Sequence, residues 1–244
     1  MKNQENSVKS TAIITGGAMR IGREIALMLA DKGYHIALHF HRSESRAHEL
    51  VGEIEGMGVE CALFRCDFNE FDQVEQLIPK IHQTFPNTSI LVNNASIFER
   101  ARFRDTDADL YDRHFNTNLK APFFLSRDFA RIFKTGHIIN ILDTKVARNL
   151  IEYFAYTMTK KSLYDFTKMA AVELGPEIRV NGVGPGLILP PPGEDTSYLD
   201  RLSRKIPLKK SGDVGNVVSA IRFLLDNDYI TGECIFVDGG EHLK

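Results

Sequence analysis

The sequence predicts an α/β fold: one domain with a doubly wound parallel sheet of about seven strands and helices on both faces. Three observations predict it. Short β-rich apolar runs alternate with stretches of helical apolar spacing along the 244 residues. The first run stops at a glycine turn, Thr15-Gly16-Gly17-Ala18-Met19-Arg20-Ile21-Gly22, directly before a helical pattern. No linker of the kind that separates domains interrupts the alternation.

The elements follow in order. Thr11–Thr15 is the first strand, and from Ile21 the residues Ile21, Ile25, Ala26 and Leu29 share a helix face that ends at Gly33. His35–Phe40 is the second strand, followed by a helix from about Ser43, its N-cap, to Glu55. Cys61–Arg65 is the third strand, with a helix from about Glu70 to Thr84, and Ser89–Asn93 is the fourth. A long helix is expected over Leu110–Phe133, interrupted or bent near Pro122. His137–Leu142 is the fifth strand. A helix carrying Tyr156 runs to about Leu174, with Leu163, Phe166, Ala170 and Leu174 on one side. Ile178–Gly182 is the sixth strand, Val214–Leu225 a late helix, and Cys234–Val237 the last strand. Right-handed crossovers join parallel strands of this kind. Residues 1–10 read as a loose polar leader, and residues 11–244 as the domain. Ile188–Arg201 breaks the pattern with Pro190-Pro191-Pro192-Gly193 and acidic residues. It reads as a lid, a binding loop or a mobile surface insertion, and residues 188–205 are taken as the candidate substrate loop.

The formal net charge of −2 predicts neither nucleic-acid nor membrane binding. No apolar run approaches the roughly 20 residues that span a bilayer. Cys61, Cys66 and Cys234 lack metal-ligand spacing, so no metal site is expected. An odd cysteine count and a polar start without an apolar core predict a reducing, cytoplasmic setting.

A glycine turn at a helix start lets backbone approach a pyrophosphate, where free N–H groups and the helix dipole favour anions. Gly16, Arg20, Ile21 and Gly22 are the candidate contacts, although the spacing departs from the plain dinucleotide fingerprint. Cofactor choice is read at the end of the second strand, where an acidic residue would hold the ribose 2′-hydroxyl of NAD. The chain has His39-Phe40-His41-Arg42-Ser43 instead. Arg42 offers a fork for a phosphate, Ser43 a hydroxyl, and Arg20 a second cation, so His41, Arg42 and Ser43 point to NADP(H). His39 is either a strand residue or a direct contact. Tyr156 and Lys160 lie one helical turn apart on one face, and the ammonium is expected to lower the phenol's pKa.

With Asn93-Asn94-Ala95-Ser96, Tyr156-x-x-x-Lys160, Asn181-Gly-Val-Gly-Pro185-Gly186 and Val237-Asp-Gly-Gly240 after the glycine turn, the chain resembles the short-chain dehydrogenase/reductase family over nearly its whole length. The resemblance implies a single Rossmann domain that moves hydride between a nicotinamide and a small-molecule substrate. It implies Tyr156 as catalytic acid, Lys160 as its pKa modulator and ribose ligand, and Asn118 as support for a proton relay. It implies Asp67 on the adenine, and Asn93, Ala95, Ser96, Pro185 and Gly186 along the cofactor. It also implies a homotetramer, with the Pro122–Phe133 and Tyr156–Leu174 helices packing across subunits.

One departure is informative. The family usually has serine thirteen residues before the tyrosine, and here that residue is Asp143. An ionised carboxylate only accepts hydrogen bonds and would repel a developing alkoxide. It suits a C=N substrate, either as partner of ring N–H groups or, if burial raises its pKa, as a proton donor. Asp143, Arg20 and the His-x-His-Arg-Ser stretch resemble the pteridine reductase and dihydromonapterin reductase branch. In that branch an aromatic residue, here Phe98, stacks on the pterin. The substrate contacts implied are Arg20, Phe98, Asp143 and Tyr156, with Tyr153 bordering the pocket. A hydroxyl common after Pro-Gly is replaced by Ile188, so backbone groups must serve there. The expected function is reduction of a dihydropterin to its tetrahydro form by NADPH. The rivals are a carbonyl reductase, such as a 3-oxoacyl thioester reductase, and an NADP(H)-binding sensor without turnover.

Overall fold

The computed structural model describes residues 9–191 and 195–244. Most of the expected leader, residues 1–8, and residues 192–194 of the expected substrate loop lie outside the described residues. The strands are β1 (Thr11–Ile14), β2 (His35–Phe40), β3 (Cys61–Arg65), β4 (Thr88–Asn93), β5 (Gly136–Ile141), β6 (Ile178–Pro185) and β7 (Cys234–Val237). They form one sheet in the order β3-β2-β1-β4-β5-β6-β7, with every neighbouring pair parallel.

Alternation along each strand explains why both faces are covered. Ile14, Leu38, Ile90 and Ile139 point to one side. There they meet Ile25 and Leu29 of α1 (Arg20–Asp31), Leu50 and Ile54 of α2 (Glu44–Gly56), and Val217, Ile221 and Leu224 of α8 (Val214–Asp226). Ile13, Ala37, Leu91 and Ile138 point to the other. That side carries Val74, Leu77 and Ile81 of α3 (Phe71–Thr84), Leu125 and Phe129 of α5 (Ala121–Phe133), and Ala170 and Ala171 of α6 (Phe154–Leu174). Strands sandwiched in this way are apolar at consecutive positions, as in Ala12-Ile13-Ile14.

One expectation is met and one needs correction. The long helix is interrupted near Pro122: α4 (Ala108–Phe115), which starts two residues earlier than expected, passes through a π-helical turn, Asn116–Lys120, into α5. Pro122 lies in the first turn of α5, directly after this π-helical turn, and its missing N–H is one place where the helical bonding is broken. The irregular Ile188–Arg201 segment contains a helix, α7 (Thr196–Ser203). Asp195 caps it by accepting the Ser197 N–H at 2.9 Å, and Leu199 packs with Leu187 and Ile206. The three prolines and Gly193 ahead of it masked this short amphipathic turn.

The strand order reverses between β1 and β4, because β2 and β3 continue to one side and β5 to β7 to the other. The crevice at the carboxyl ends of these two strands is where such sheets bind ligands.

Candidate active site

The glycine turn sits at the carboxyl end of β1 and is pinned from three directions. The Asn94 Nδ2 donates to the carbonyls of Thr15 (2.9 Å) and Gly16 (3.0 Å). The Thr15 hydroxyl accepts the N–H groups of Asn94 and Ala95. The Gly16 N–H donates to Nδ1 of His39 at 3.0 Å. His39 is buried, stacks on Phe68 at 4.3 Å, and gives its Nε2–H to the Cys66 carbonyl. Burial pulls its pKa down to about 4, so the ring is neutral with one defined tautomer. His39 is thus a buried brace of the turn and presents no nitrogen to the crevice.

Gly16 has φ +61°, and a Cβ on Gly22 would lie 2.4 Å from the Gly16 carbonyl oxygen and 2.5 Å from Asn94 Nδ2. No larger residue fits at Gly22 without displacing the turn from the start of α1. The α1 N-cap, Met19, makes no side-chain cap bond, which leaves the helix start, Arg20-Ile21-Gly22, without a protein side-chain cap. Arg20 adopts a left-handed φ of +54°, a conformation costing on the order of 1–2 kcal/mol for a residue with a Cβ. Its guanidinium donates to the Pro190 carbonyl at 2.8 Å and so joins the glycine turn to the candidate substrate loop.

At the end of β2, Ser43 occupies the α2 N-cap position but does not cap. Its hydroxyl donates to Met19 Sδ at 3.0 Å, which tethers α2 to the turn. Arg42 is exposed beside it. His41 Nε2 lies 3.3 Å from Asp67 Oδ2, and Asp67 Oδ1 accepts two bonds from Asn69. Against desolvation, those bonds and the nearby His41 and Arg42 hold the Asp67 carboxyl below its usual range. The turn, the helix start and the Arg42 guanidinium after β2 fit a dinucleotide diphosphate with an additional ribose phosphate.

Asn93 does not line this crevice. Its side chain is buried on the α5 side, donating to Ser126 Oγ (3.1 Å) and Asn140 Oδ1 (2.8 Å). Its Oδ1 meets no donor among the described residues. Neighbouring strand residues point to opposite faces, and Asn94 takes the turn-facing place. Ala95 packs against Gly16, Ser96 is exposed, and the Gly186 N–H donates to the Val237 carbonyl just after Pro185 closes β6. Ile188 is buried in the core, in keeping with its lack of a hydroxyl.

The reactive cluster lies at the carboxyl end of β5. The Tyr156 hydroxyl donates to Asp143 Oδ2 at 2.6 Å. Asp143 Oδ1 accepts the Lys145 N–H at 2.7 Å and caps the short turn Thr144–Ala147. Lys160 is buried and donates to the Ile141 carbonyl at 2.8 Å. Burial pulls its pKa down to about 8, against the opposing pull of Asp143. The expected lowering of the tyrosine pKa is overturned. Burial first, then the charge of Asp143 and the hydrogen bond to it, push the Tyr156 phenol well above its ordinary value. A carboxylate in contact with the hydroxyl outweighs an ammonium one helical turn away. Tyr156 therefore keeps its proton at neutral pH in this arrangement.

The loop that carries Asp143 is braced from the far end of the fold. Thr144 Oγ1 donates to Asp238 Oδ2 at 2.5 Å, while Glu241 Oε1 pairs with Lys145 (3.0 Å) and Arg148 (3.2 Å). Phe98 stands over the cluster, edge-on to Tyr156 with ring centres 4.7 Å apart. Tyr153 stacks on one face of Phe98 at 4.1 Å and 6°. Tyr153 is the N-cap of α6, so its place by the pocket comes from that ring contact and not from a shared helix turn. The Asn118 amide grips the Ile97 backbone, accepting its N–H (2.9 Å) and donating to its C=O (3.0 Å), and reaches Thr159 Oγ1 at 3.3 Å. The expected residues Asp143, Tyr156, Lys160, Asn118 and Phe98 converge. Thr15, Asn94 and His39 lie inside the quoted motifs and serve there as braces of the turn, whereas His114, which accepts the Glu99 N–H, belongs to no motif.

A family model described as enoyl-(acyl carrier protein) reductase matches residues 16–242. A 3-oxoacyl-[acyl-carrier-protein] reductase, FabG, of Staphylococcus epidermidis is 31% identical, covering 97% of this chain and all of that one. Pteridine reductase 1 of Leishmania tarentolae is also 31% identical, covering 95% of this chain and 96% of its own. Among solved structures, FolM alternative dihydrofolate reductase 1 of Brucella suis, in complex with NADP, superposes with a TM-score of 0.91. It is 32% identical and covers 96% of each chain.

Proposed function

The chain belongs to the short-chain dehydrogenase/reductase family, and on that premise we propose that it is an NADPH-dependent pterin reductase, converting a dihydropterin to its tetrahydro form. The observation that carries this reading is the Tyr156 O–H donating to Asp143 Oδ2 at 2.6 Å beneath the Phe98 ring. A carboxylate in that place opposes negative charge on a carbonyl oxygen and accepts from the N–H donors that edge a pterin ring. Pteridine reductase 1 and the NADP-bound FolM structure support it as relatives.

The cofactor is held by this chain's own groups. The turn Gly16–Gly22 and the start of α1 take the pyrophosphate, Arg42 and Ser43 the 2′-phosphate with Arg20 nearby, His41 and Asp67 the adenine end, and Lys160 the nicotinamide ribose. Ala95, Ser96, Pro185 and Gly186 border its path. Bound NADPH supplies hydride to a ring carbon. Tyr156 supplies the proton to the adjoining ring nitrogen, kept in place by burial and Asp143 until that nitrogen gains electron density. Lys160, still cationic at neutral pH with its pKa near 8, stabilises the resulting phenolate. Phe98 offers a flat apolar surface for the ring, and Asn118 fixes the loop segment that leads to it.

The FabG relative and the matched family model favour a second reading, reduction of a 3-oxoacyl thioester. Following NADPH consumption with dihydrobiopterin, dihydromonapterin and an acetoacetyl thioester, in wild type and Asp143→Ser, separates the two. The pterin reading expects pterin turnover that collapses in the variant. Thioester turnover with inert pterins, preserved or raised by serine, overturns it. Activity on neither substrate, with NADPH still bound, assigns a sensor. A homotetramer belongs to the same proposal, since exposed Phe123 on α5 and exposed Met169 and Val172 on α6 leave apolar surface unpaired. Light scattering reads its mass. Three buried free thiols accord with a reducing, cytoplasmic setting. No helix among the described residues is long and apolar enough to cross a membrane.

A further inference from the structure

We infer that His114 is a positioning residue for the substrate: with Asn118 it forms a two-point clamp that holds Phe98 as a fixed shelf. The inference rests on the pterin reading for the identity of what the shelf receives, and the clamp itself is a matter of geometry.

His114 lies in the last turn of α4 and is fully buried. Its Nδ1–H donates to the Leu110 carbonyl at 2.9 Å, which fixes the tautomer and leaves Nε2 as an acceptor. Nε2 takes the N–H of Glu99 at 3.3 Å. Asn118, four residues further along the same helical path, takes both polar groups of Ile97. The two side chains therefore grip the residues on either side of Phe98, while Phe98 is gripped by neither. Phe98 is left 38% exposed with its ring free to serve as a surface, backed by Tyr153 and set edge-on to Tyr156. The π-helical turn, Asn116–Lys120, begins just after His114 and carries Asn118 at its centre, and a bulge of this kind commonly re-aims side chains at functional sites. Thr159 closes the frame, accepting from Asn118 Nδ2 at 3.3 Å and donating to the Tyr156 carbonyl at 2.7 Å. The shelf and the acid are thereby tied to one framework. A shelf fixed in advance lowers the ordering cost of receiving a flat ring, so its loss is read in substrate binding more than in turnover.

The test uses His114→Leu, which keeps an apolar side chain behind Tyr156 and removes the acceptor, and His114→Gln, whose Oε1 restores an acceptor near the Nε2 position. Loss of one such bond predicts a dihydropterin KM about fivefold higher in the leucine variant, with kcat and NADPH affinity within about twofold of wild type. Glutamine restores KM. A second readout needs no substrate: the 19F resonance of 4-fluorophenylalanine placed at position 98. It is expected as one sharp line in wild type, broadened or split in His114→Leu, and single again in His114→Gln. An unchanged KM in the leucine variant overturns the clamp, as does an unmoved 19F line, even if the melting temperature falls. If wild type turns over no pterin, the pterin reading fails, and the 19F comparison still decides the clamp.

Discussion

Asp143→Asn removes one charge from the reactive cluster while keeping its shape. In the wild-type site both carboxylate oxygens accept: Oδ2 from the Tyr156 hydroxyl at 2.6 Å and Oδ1 from the Lys145 N–H at 2.7 Å. The first length is that of a charge-assisted O–H···O bond. An asparagine offers one oxygen and one NH2 group, so one of the two donors must face another donor. The charge-assisted bond is worth about 1.5–3 kcal/mol, and a donor left without an acceptor costs about 1–3 kcal/mol. Allowing for rotation of the tyrosine hydroxyl, the net loss is about 2–3 kcal/mol, or about 30- to 150-fold in kcat/KM for a dihydropterin. The assay is NADPH consumption at neutral pH, paired with an ultraviolet titration of tyrosine ionisation referenced to Tyr156→Phe. The charge of Asp143 and its hydrogen bond rank behind burial among the causes that raise the phenol's pKa. The variant's phenol is therefore expected to ionise at lower pH than the wild type's, while still lying above a free tyrosine. A kcat/KM within about threefold of wild type, with an unmoved titration, would refute the reasoning and reduce Asp143 to the cap of the Thr144–Ala147 turn.

Three further outcomes follow from the geometry. Gly22→Ala places a methyl 2.4 Å from the Gly16 oxygen, so stability falls by about 1–3 kcal/mol and NADPH binding is lost. A thermal melt and a fluorescence titration check both, and full NADPH affinity in the variant would contradict the packing argument. Burial pulls His39 to about 4 and His137 to about 3, whereas unfolded histidines titrate near 6.5. The unfolded chain binds the protons these rings refuse, so stability falls as pH drops below about 6.5, by up to about 2.7 kcal/mol per pH unit, and is indifferent to these groups above it. Urea midpoints at pH 7 and pH 5 measure the effect, and equal midpoints would count against it. Arg42→Ala removes the guanidinium placed for a ribose phosphate, so NADPH affinity falls about tenfold or more while NADH affinity is unchanged. Equal losses for both cofactors would place Arg42 elsewhere.

The fold was legible because its signals are local. A continuous apolar run such as Ala12-Ile13-Ile14, read against the helical spacing from Ile21 to Leu29, needs no knowledge of distant partners. Tyr156 and Lys160 were legible from their spacing of one helical turn, and Asp143 only through the family resemblance. What escaped depends on tertiary contact. The π-helical turn at Asn116–Lys120 has helical composition, and no residue in it marks a bulge. Asn93 and Asn94 are identical in type, and only the pleat decides which one faces the glycine turn. The Tyr156 pKa moved in the opposite direction to the expectation because Asp143 reaches the hydroxyl through the β5 loop. His114 sits in an ordinary amphipathic helix, and its acceptor role exists only once Glu99 folds over it.

The strand order also sets a timetable for synthesis. β1 needs β2 on one edge and β4 on the other, and the chain supplies them 24 and 77 residues after Thr11. At about 5–20 residues per second, the ribosome leaves β1 half-paired for several seconds before Thr88–Asn93 emerges. The reactive cluster waits longer still. Asp143, Tyr156 and Lys160 are all translated well before Asp238 and Glu241, the two carboxylates that brace Thr144, Lys145 and Arg148. A nascent chain thus acquires its phosphate cradle first, its acid second and its brace last, so an interrupted chain would expose a half-built cleft without the geometry to use it.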